Sequence, residues 1–178
     1  ALLTTGISYM FKHLVESDYK PEALLYEMNN RVMDMFKSKD LASLNYFTAL
    51  YMVIDTNEKT ISYANCGHPK AYVIDGGKWV GLQCVNFPIG LFSGIDYISE
   101  TYSYNNSCEI LAFTDGLVES DFQKADNIES LKKLLQAYID TPIENGLLDH
   151  IDQNMYKPIH SNKTDDVSII TVTIREGS

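Results

Sequence analysis

The sequence predicts an α+β fold, in which helices are layered against antiparallel strands. Apolar residues recur at helical spacings of three and four near the beginning of the chain and again after residue 127. Between these regions the apolar period changes to two, and turn signals separate the segments. A chain of 178 residues is long enough to bury a core, so we expect one domain over residues 1–178.

Two helices are predicted at the beginning of the chain. The first, over residues 2–15, has an apolar face that includes Ile7, Phe11 and Leu14. The second begins at Pro21, a residue suited to the first helical position, and Glu22 favours the positive end of the helix dipole. Its predicted apolar face consists of Leu24, Leu25, Met28, Val32, Met35 and Phe36.

The strands begin near Tyr46. Residues 46–55 are apolar on both alternating faces, which predicts a strand covered on both sides, and residues 61–65 are expected to form a hairpin with it. Residues 71–75 and 78–82 are joined by Gly76-Gly77, which predicts a tight hairpin because glycine accepts positive φ angles. Weaker alternation through Ile98 and Tyr102 precedes a further strand that ends at Asp115.

Two more helices and a last strand follow. Their apolar residues are Ile128, Leu131, Leu134, Leu135 and Tyr138 in one helix and Ile143, Leu147, Leu148, Ile151 and Met155 in the other. Residues 167–174 are apolar enough to predict a central strand.

Composition excludes several classes of function. A net charge of −10 argues against nucleic acid and against contact with an anionic membrane, and no apolar stretch approaches the length of a membrane span. The three cysteines, Cys66, Cys84 and Cys108, lack the paired spacing of a zinc site. We interpret them as reduced, partly buried thiols of a cytoplasmic protein.

Two acidic segments suggest a metal site. Asp115 stands where the chain leaves one strand, and Asp165 and Asp166 stand where it enters another. If the two strands are neighbours, these carboxylates reach one edge of the sheet and offer the oxygen ligands that Mg²⁺ and Mn²⁺ prefer. The alternative is structural: Asp115-Gly116 is a turn and Asp165-Asp166 a solvated beginning of a strand.

Five short motifs, taken together, make a family recognisable. In order and spacing they resemble the SpoIIE/RsbU-type serine phosphatases, which belong to the metal-dependent protein phosphatase 2C family, and the resemblance covers essentially all 178 residues. The motifs are Phe47-Thr48-Ala49, Tyr63-Ala64-Asn65-Cys66-Gly67-His68-Pro69, Pro88-Ile89-Gly90-Leu91, Thr114-Asp115-Gly116-Leu117-Val118-Glu119 and Thr164-Asp165-Asp166-Val167-Ser168.

The resemblance implies a β-sandwich of antiparallel sheets flanked by helices, and hydrolysis of phosphoserine or phosphothreonine on a protein. It also implies two Mn²⁺ or Mg²⁺ ions, which neutralise phosphoryl oxygens and lower the pKa of a bound water. Asp115 and Asp165 match the two late metal-ligand aspartates, and Asp166 is a neighbour that can substitute for a ligand or support one. Gly116 matters because a residue without Cβ lets the backbone turn close to the metals.

Other polar residues have two interpretations each. Glu119 either bonds a metal-bound water or is a solvated glutamate at the start of a helix. His68 can act as an acid towards a leaving alkoxide, but a turn histidine bonded to backbone is the preferred interpretation. His13 and His150 have no partner at metal spacing, and His160 is interpreted as a surface histidine, with a substrate contact as the alternative.

Relatives in this family carry an earlier Asp-x-x-Gly-(His/Lys)-Gly segment, whose aspartate bridges both metals. These 178 residues do not contain it, so we expect a piece of a longer domain, without the first strands and weak or inactive alone.

The parent protein is expected to include an upstream sensor or receiver domain, to act on a phosphorylated anti-anti-sigma (STAS-type) protein, and to be a possible homodimer. Two alternatives remain open. One is a noncatalytic interaction or dimerisation module that uses the first two helices and the adaptable side chains of Met28, Met33 and Met35. The other is an unrelated α+β enzyme in which Asp115 and Asp165 are not neighbours.

Overall fold

The computed structural model describes residues 2–16, 20–36, 46–118, 124–141, 146–156 and 166–176. Its helices are α1 (Leu2–Val15), α2 (Pro21–Phe36), α3 (Lys124–Asp140) and α4 (Gly146–Ile151). Its strands are β1 (Ala49–Asp55), β2 (Thr60–Cys66), β3 (Tyr72–Asp75), β4 (Lys78–Gly81), β5 (Glu100–Ser103), β6 (Cys108–Phe113) and β7 (Ile169–Ile174). The chain divides into two compact units, the first formed by Ala1–His68 and Gln83–Ser103 and the second by Pro69–Leu82 and Tyr104–Ser178.

In the first unit, α1 and α2 have the limits that the apolar periodicity predicted. Helix α2 buries Leu24, Leu25, Met28 and Val32. Asn29 is also buried: its side-chain amide donates to the carbonyl of Phe92 at 3.0 Å and accepts from the backbone N–H of Gly90 at 2.8 Å. These bonds fasten the loop around residues 90–92 to the helix.

The sheet of the first unit has the order β1-β2-β5, with both pairs antiparallel. The predicted hairpin of β1 and β2 is confirmed, and its turn is supported by Asp55, whose Oδ1 accepts backbone N–H bonds from Asn57 and Glu58 at 2.9 Å each. The prediction that β1 is covered on both faces is wrong. Its side chains are half-buried or exposed, because among the described residues β1 lies at the end of its sheet and pairs only with β2.

The sheet of the second unit has the order β4-β3-β6-β7 and is antiparallel throughout. Gly76 and Gly77, at φ 56° and 75°, form the predicted tight turn between β3 and β4. One face of this sheet packs against α3 and α4. The core there consists of Tyr72, Leu111, Phe113, Leu117, Val118, Leu131, Leu134, Leu135, Tyr138, Leu147, Ile151 and Met155.

The last strand differs from the prediction. Strand β7 begins at Ile169 and is not central: among the described residues it lies at the end of the sheet and pairs only with β6. Ile170 and Val172 point away from the core and are 62% and 38% exposed. The apolar composition of β7 therefore predicted more burial than the structure shows. In the same way, Leu148 is exposed although the helical period placed it on the apolar face of α4. Ile143 lies outside the described residues.

The three cysteines are free and buried, as predicted. Burial, with a smaller contribution from Cys84, raises the pKa of Cys66 to about 12, and burial, with Asp75 and Glu109, raises the pKa of Cys108 to about 11. Neither thiol is activated for nucleophilic chemistry. In the described part of the chain, no helix combines the length and the apolarity needed to cross a bilayer.

Candidate active site at the end of strand β6

The candidate site is built on the turn that follows β6, which we call the Asp115 turn (residues 114–117). Strands β6 and β7 pair as far as Phe113 and Ile169, and Thr114 then exchanges two bonds with Ser168. The Thr114 N–H donates to the Ser168 carbonyl at 2.9 Å, and the Ser168 N–H donates to Thr114 Oγ1 at 2.8 Å. Asp115–Leu117 then form one 3₁₀ turn. The two strands therefore remain fastened together up to the point where the acidic residues begin.

Gly116 brings the two acidic segments into contact. A Cβ placed on Gly116 would overlap the carbonyl oxygen of Asp166 and would lie 3.1 Å from the Asp166 carbonyl carbon and 3.1 Å from Cγ2 of Val167. Only glycine permits this approach of backbone to backbone. The expected proximity of the two segments is thus observed for Asp115-Gly116 and Asp166. Asp165 itself lies outside the described residues.

Asp115 begins the turn and is exposed, whereas the next three residues, Gly116, Leu117 and Val118, are buried. Its Oδ1 accepts the backbone N–H of Gly116 at 3.0 Å, a bond that helps to orient the carboxylate. Leu117 and Val118 anchor the turn in the core from below. The carboxylate is therefore fixed at its base and open to solvent at its tip.

A further residue supports the turn and was not singled out from the sequence. Asn127, on α3, is 8% exposed, and its side-chain amide donates to the carbonyl of Val118 at 3.0 Å. The only signal was an asparagine just before the apolar period of a helix, and that position is more often a solvated one. The bond ties the end of the Asp115 turn to α3.

The surroundings of this edge are acidic. A cleft of about 360 Å³ lies beside the beginning of β7 and is lined by Leu148, Asp149, Asp152, Val167 and Ile169. Among the described residues that line it, two carry carboxylates and none is basic. A phosphoryl group that approached this edge without cations would meet like charge, which disfavours binding.

The donor types at this edge are those of a hard divalent cation, because Mg²⁺ and Mn²⁺ bind carboxylate and carbonyl oxygens. Asp115 offers a carboxylate that is open to solvent, and the backbone of Asp166 lies against Gly116. Within the described ranges, no group of three or more aspartate, glutamate, histidine or cysteine side chains is close enough to hold an ion.

A second motif forms a turn of a different kind in the first unit, which we call the Asn65 turn (residues 65–68). The Asn65 side chain bonds the backbone of His68 twice: its amide donates to the His68 carbonyl at 2.9 Å, and its Oδ1 accepts the His68 N–H at 2.8 Å. Gly67 has a φ of 71°, and the His68 ring lies 3.4 Å from Thr48 Oγ1. The prediction that His68 lies in a turn is confirmed, and its ring contacts the side chain of Thr48.

The neighbours of His13 and His150 are not metal ligands of the Asp115 turn. His13 lies 3.7 Å from Glu16 on exposed α1, and His150 contacts Asn154 and the ring of Tyr138. Glu119 and His160 lie outside the described residues.

Comparison with known proteins supports the fold. The family model described as Stage II sporulation protein E (SpoIIE) matches residues 1–175. A relative, the phosphoserine phosphatase RsbP of Bacillus subtilis (strain 168), is 26% identical over 176 residues, which are 98% of this chain and 42% of the relative. The chain therefore spans less than half of the length of that relative.

Three solved structures illustrate the shared fold. The RsbU and RsbW domains of a Mycobacterium tuberculosis protein match with a TM-score of 0.77 and 16% identity, over 98% of this chain and 48% of that one. The SiaA-PP2C domain of Pseudomonas aeruginosa matches with a TM-score of 0.76 and 17% identity, over 98% and 70%. The PP2C phosphatase domain of Bacillus subtilis SpoIIE, solved with a fragment of its regulatory domain, gives 0.78 and 14%, over 98% and 50%. The predicted fold class is confirmed.

Proposed function

We propose that this chain, which belongs to the SpoIIE family, is part of the catalytic domain of a metal-dependent protein-serine/threonine phosphatase. The observation that carries the proposal is the contact between Gly116 and Asp166, which brings an exposed carboxylate, Asp115, and the acidic segment before β7 to one edge of the sheet. The fold is that of solved structures which include the PP2C phosphatase domain of Bacillus subtilis SpoIIE.

In the proposed site, Asp115 and Asp165 are the metal ligands and the catalytic acidic residues, with Asp166 as a neighbouring ligand or a support. Because Gly116 has no Cβ, its backbone can lie against the backbone of Asp166, as the site requires. These residues would hold Mn²⁺ or Mg²⁺, two ions in the intact domain, and the bound metal would supply charge neutralisation for the phosphoryl group and activation of a water. Similar phosphatases have been solved after soaking with manganese and in complex with magnesium.

Electrostatics supports a requirement for metal. The chain carries a net charge of −10, and the cleft beside β7 is lined by Asp149 and Asp152. A phosphoserine dianion gains little from such a surface, and phosphoryl transfer depends mainly on charge neutralisation and positioning. Cations held at the Asp115 edge would reverse the sign of the local field, so we expect substrate binding and metal binding to be coupled.

The substrate and the partners follow from the resemblance. We expect the substrate to be phosphoserine on an anti-anti-sigma type regulatory protein, and the parent protein to carry an upstream sensor or receiver domain, to be a possible homodimer and to act in the cytoplasm. The relative RsbP is named a phosphoserine phosphatase, and the SpoIIE structure includes part of a regulatory domain. Because these residues lack the Asp-x-x-Gly-(His/Lys)-Gly segment, residues 1–178 alone should be weakly active or inactive.

The test compares full-length wild-type protein with Asp115→Asn in Mn²⁺-dependent hydrolysis of a phosphoserine peptide. The substitution keeps the size and removes the charge, so we expect kcat to fall about 1,000-fold, because a metal ligand is lost. Mn²⁺ binding, measured by calorimetry, should weaken in parallel. Asp96→Asn is the matched control, since Asp96 is exposed and lies in the other unit, and it should leave both quantities unchanged.

Equal rates for Asp115→Asn and wild type would contradict catalysis at this edge. Asp165→Asn and Asp166→Asn then decide which of the two acidic residues supplies a ligand. The proposal assigns the larger loss of Mn²⁺ affinity to Asp165→Asn, and a larger loss in Asp166→Asn would move the ligand to the neighbouring residue.

One observation favours a second candidate function, a noncatalytic interaction or dimerisation module. Helices α1 and α2 expose large apolar side chains, with Tyr9 66%, Phe11 40%, Tyr26 42% and Met35 46% exposed. Met28, which the sequence also suggested for this surface, is buried instead. A full-length protein that dimerises through these helices but hydrolyses no phosphoserine with either metal would favour this function over catalysis.

A further inference from the structure

A second cavity lies at the opposite end of β6 from the Asp115 turn. Its volume is about 420 Å³, within the range of small-molecule sites. Glu109, in its wall, precedes Asp115 by six residues, which corresponds to a separation of about 20 Å along a strand. The cavity is therefore separate from the proposed phosphatase site.

The wall of the cavity contains a carboxylate whose hydrogen-bonding capacity is not filled. Glu109 Oε1 accepts the hydroxyl of Tyr138 at 3.3 Å, whereas its Oε2 is buried and has no hydrogen-bond partner among the described residues. A buried acceptor without a donor is costly, so such a group favours a ligand that donates. Glu109 lines the cavity, and the last torsion of its side chain has a broad energy profile, so a partial rotation can bring its carboxylate to a ligand that donates.

The other walls of the cavity provide apolar surface and a positive charge. Ile74 on β3 and Ile139 on α3 contribute apolar surface, and Ile74 is the direct cross-strand partner of Glu109. Arg175 follows the end of β7, also lines the cavity, and is exposed. The cavity thus combines the Glu109 carboxylate, which can accept from a cationic donor, an apolar wall, and the Arg175 guanidinium, which can bind a carboxylate.

We propose that this cavity binds a free α-amino acid with an aliphatic side chain. The ammonium group donates to Glu109, the carboxylate bonds Arg175, and the side chain packs against Ile74 and Ile139. The volume admits such a ligand together with ordered waters, which fill the remaining space and bridge polar groups.

The test uses full-length protein and three probes that differ by one feature each. L-Leucine carries all three groups, 4-methylpentanoate lacks the ammonium, and 3-methylbutylamine lacks the carboxylate. Binding is measured by calorimetry and by amide chemical-shift changes. We expect L-leucine to bind and to shift amides of residues 74–77, 107–109 and 173–175, and each of the other probes to bind at least about tenfold more weakly.

Two variants remove one charge each. Glu109→Gln keeps an oxygen for the Tyr138 hydroxyl, so the fold should persist, and Arg175→Gln changes an exposed residue. Each should weaken L-leucine binding about tenfold or more. Glu100→Gln and Arg31→Gln, at exposed positions in the first unit, are the matched controls and should bind as wild type does. Thermal unfolding checks that every variant is folded.

Three results would overturn the proposal. The first is no binding of L-leucine at about 10 mM, a concentration that detects even weak sites. The second is unchanged binding in Glu109→Gln or Arg175→Gln. The third is equal binding of 3-methylbutylamine and L-leucine. If no probe binds and the two substitutions have coupled effects on the free energy of unfolding, Glu109 and Arg175 instead pair with each other.

Discussion

The Asn65 turn and the Asp115 turn both belong to motifs of the family, but they use their polar side chains differently. In the Asn65 turn, the side-chain amide is consumed by two bonds to the backbone of His68, and Asn65 is only 7% exposed. In the Asp115 turn, the carboxylate accepts one bond from Gly116 and remains open to solvent. A motif residue whose polar atoms are used by the fold is a structural residue, and one whose polar atoms face solvent remains available for chemistry.

The largest expected effect is at Gly116. Gly116→Ala places a Cβ against the carbonyl of Asp166, so the Asp115 turn and the beginning of β7 must separate. We expect the free energy of unfolding to fall by about 3 kcal/mol and Mn²⁺ binding to weaken. Urea unfolding and calorimetry measure the two effects.

Gly6→Ala is the matched control for that substitution. Gly6 lies within α1, and an added Cβ would meet only Met35 Cε at an ordinary 3.6 Å. We expect a gain of about 1 kcal/mol, because alanine favours a helix more than glycine does. If both substitutions changed stability in the same direction, the close approach at Gly116 would not matter and the comparison of the turns would fail.

The next effect tests the structural role of the Asn65 turn. Asn65→Ala removes two bonds and leaves the N–H and the carbonyl of His68 without this partner. We expect a loss of about 2 kcal/mol in urea unfolding. Asn57→Ala, at an exposed position in the turn between β1 and β2, should change stability by less than about 0.5 kcal/mol. Similar losses in the two variants would mean that the Asn65 side chain does not maintain its turn.

The burial of Cys66 in the Asn65 turn predicts that the free energy of unfolding depends on pH. Burial raises the pKa of Cys66 from 9.0 to about 12, so the folded state keeps this proton while the unfolded state loses it. This contribution to stability is complete below pH 9 and is lost as the pH rises towards 12. We expect the free energy of unfolding to fall by about 1 kcal/mol per pH unit in that window because of Cys66.

Cys66→Ala supplies the control for this effect. The difference in slope between wild type and Cys66→Ala isolates the thiol from other groups that titrate at alkaline pH. Identical slopes would show that water reaches the thiol and that the turn is open.

The smallest effect is expected for His68. Its backbone is bound by Asn65, and its ring contacts Thr48 at 3.4 Å. His68→Ala should therefore change kcat of the full-length protein by less than about threefold, whereas a general acid contributes at least about 100-fold. A loss of about 100-fold in kcat would show that His68 takes part in catalysis.

The sequence predicted the order of the elements well because short-range signals determine it. The limits of α1 and α2 and the hairpin at Gly76-Gly77 follow from periodicity, a proline and two glycines. The positions of β1 and β7 in their sheets were not predictable in this way. Apolar residues on both faces indicate low polarity, whereas burial depends on which strand pairs next, and that is a long-range property.

Part of the candidate site was predictable, and part was not. The proximity of Asp115-Gly116 and Asp166 follows from two acidic signatures at the ends of apolar runs, because neighbouring antiparallel strands bring such ends together. The support from Asn127 depends on how α3 packs under the turn, and no local pattern encodes that packing. The unpaired Oε2 of Glu109 could not be predicted either, because it depends on long-range packing: Tyr138, which bonds the other oxygen, is 29 residues away.

The pairing of β7 with β6 alone, in the described part of the sheet, has a consequence for the fidelity of folding. The smallest slip that returns the same side chains to the same face is two residues, and it moves one strand past the other by about 7 Å. A slipped β7 would keep much of its apolar contact yet carry Asp166 away from Gly116. Correct folding of this domain therefore requires a specific register as well as a buried core, and a misregistered molecule would be compact but would lack the contact between Gly116 and Asp166.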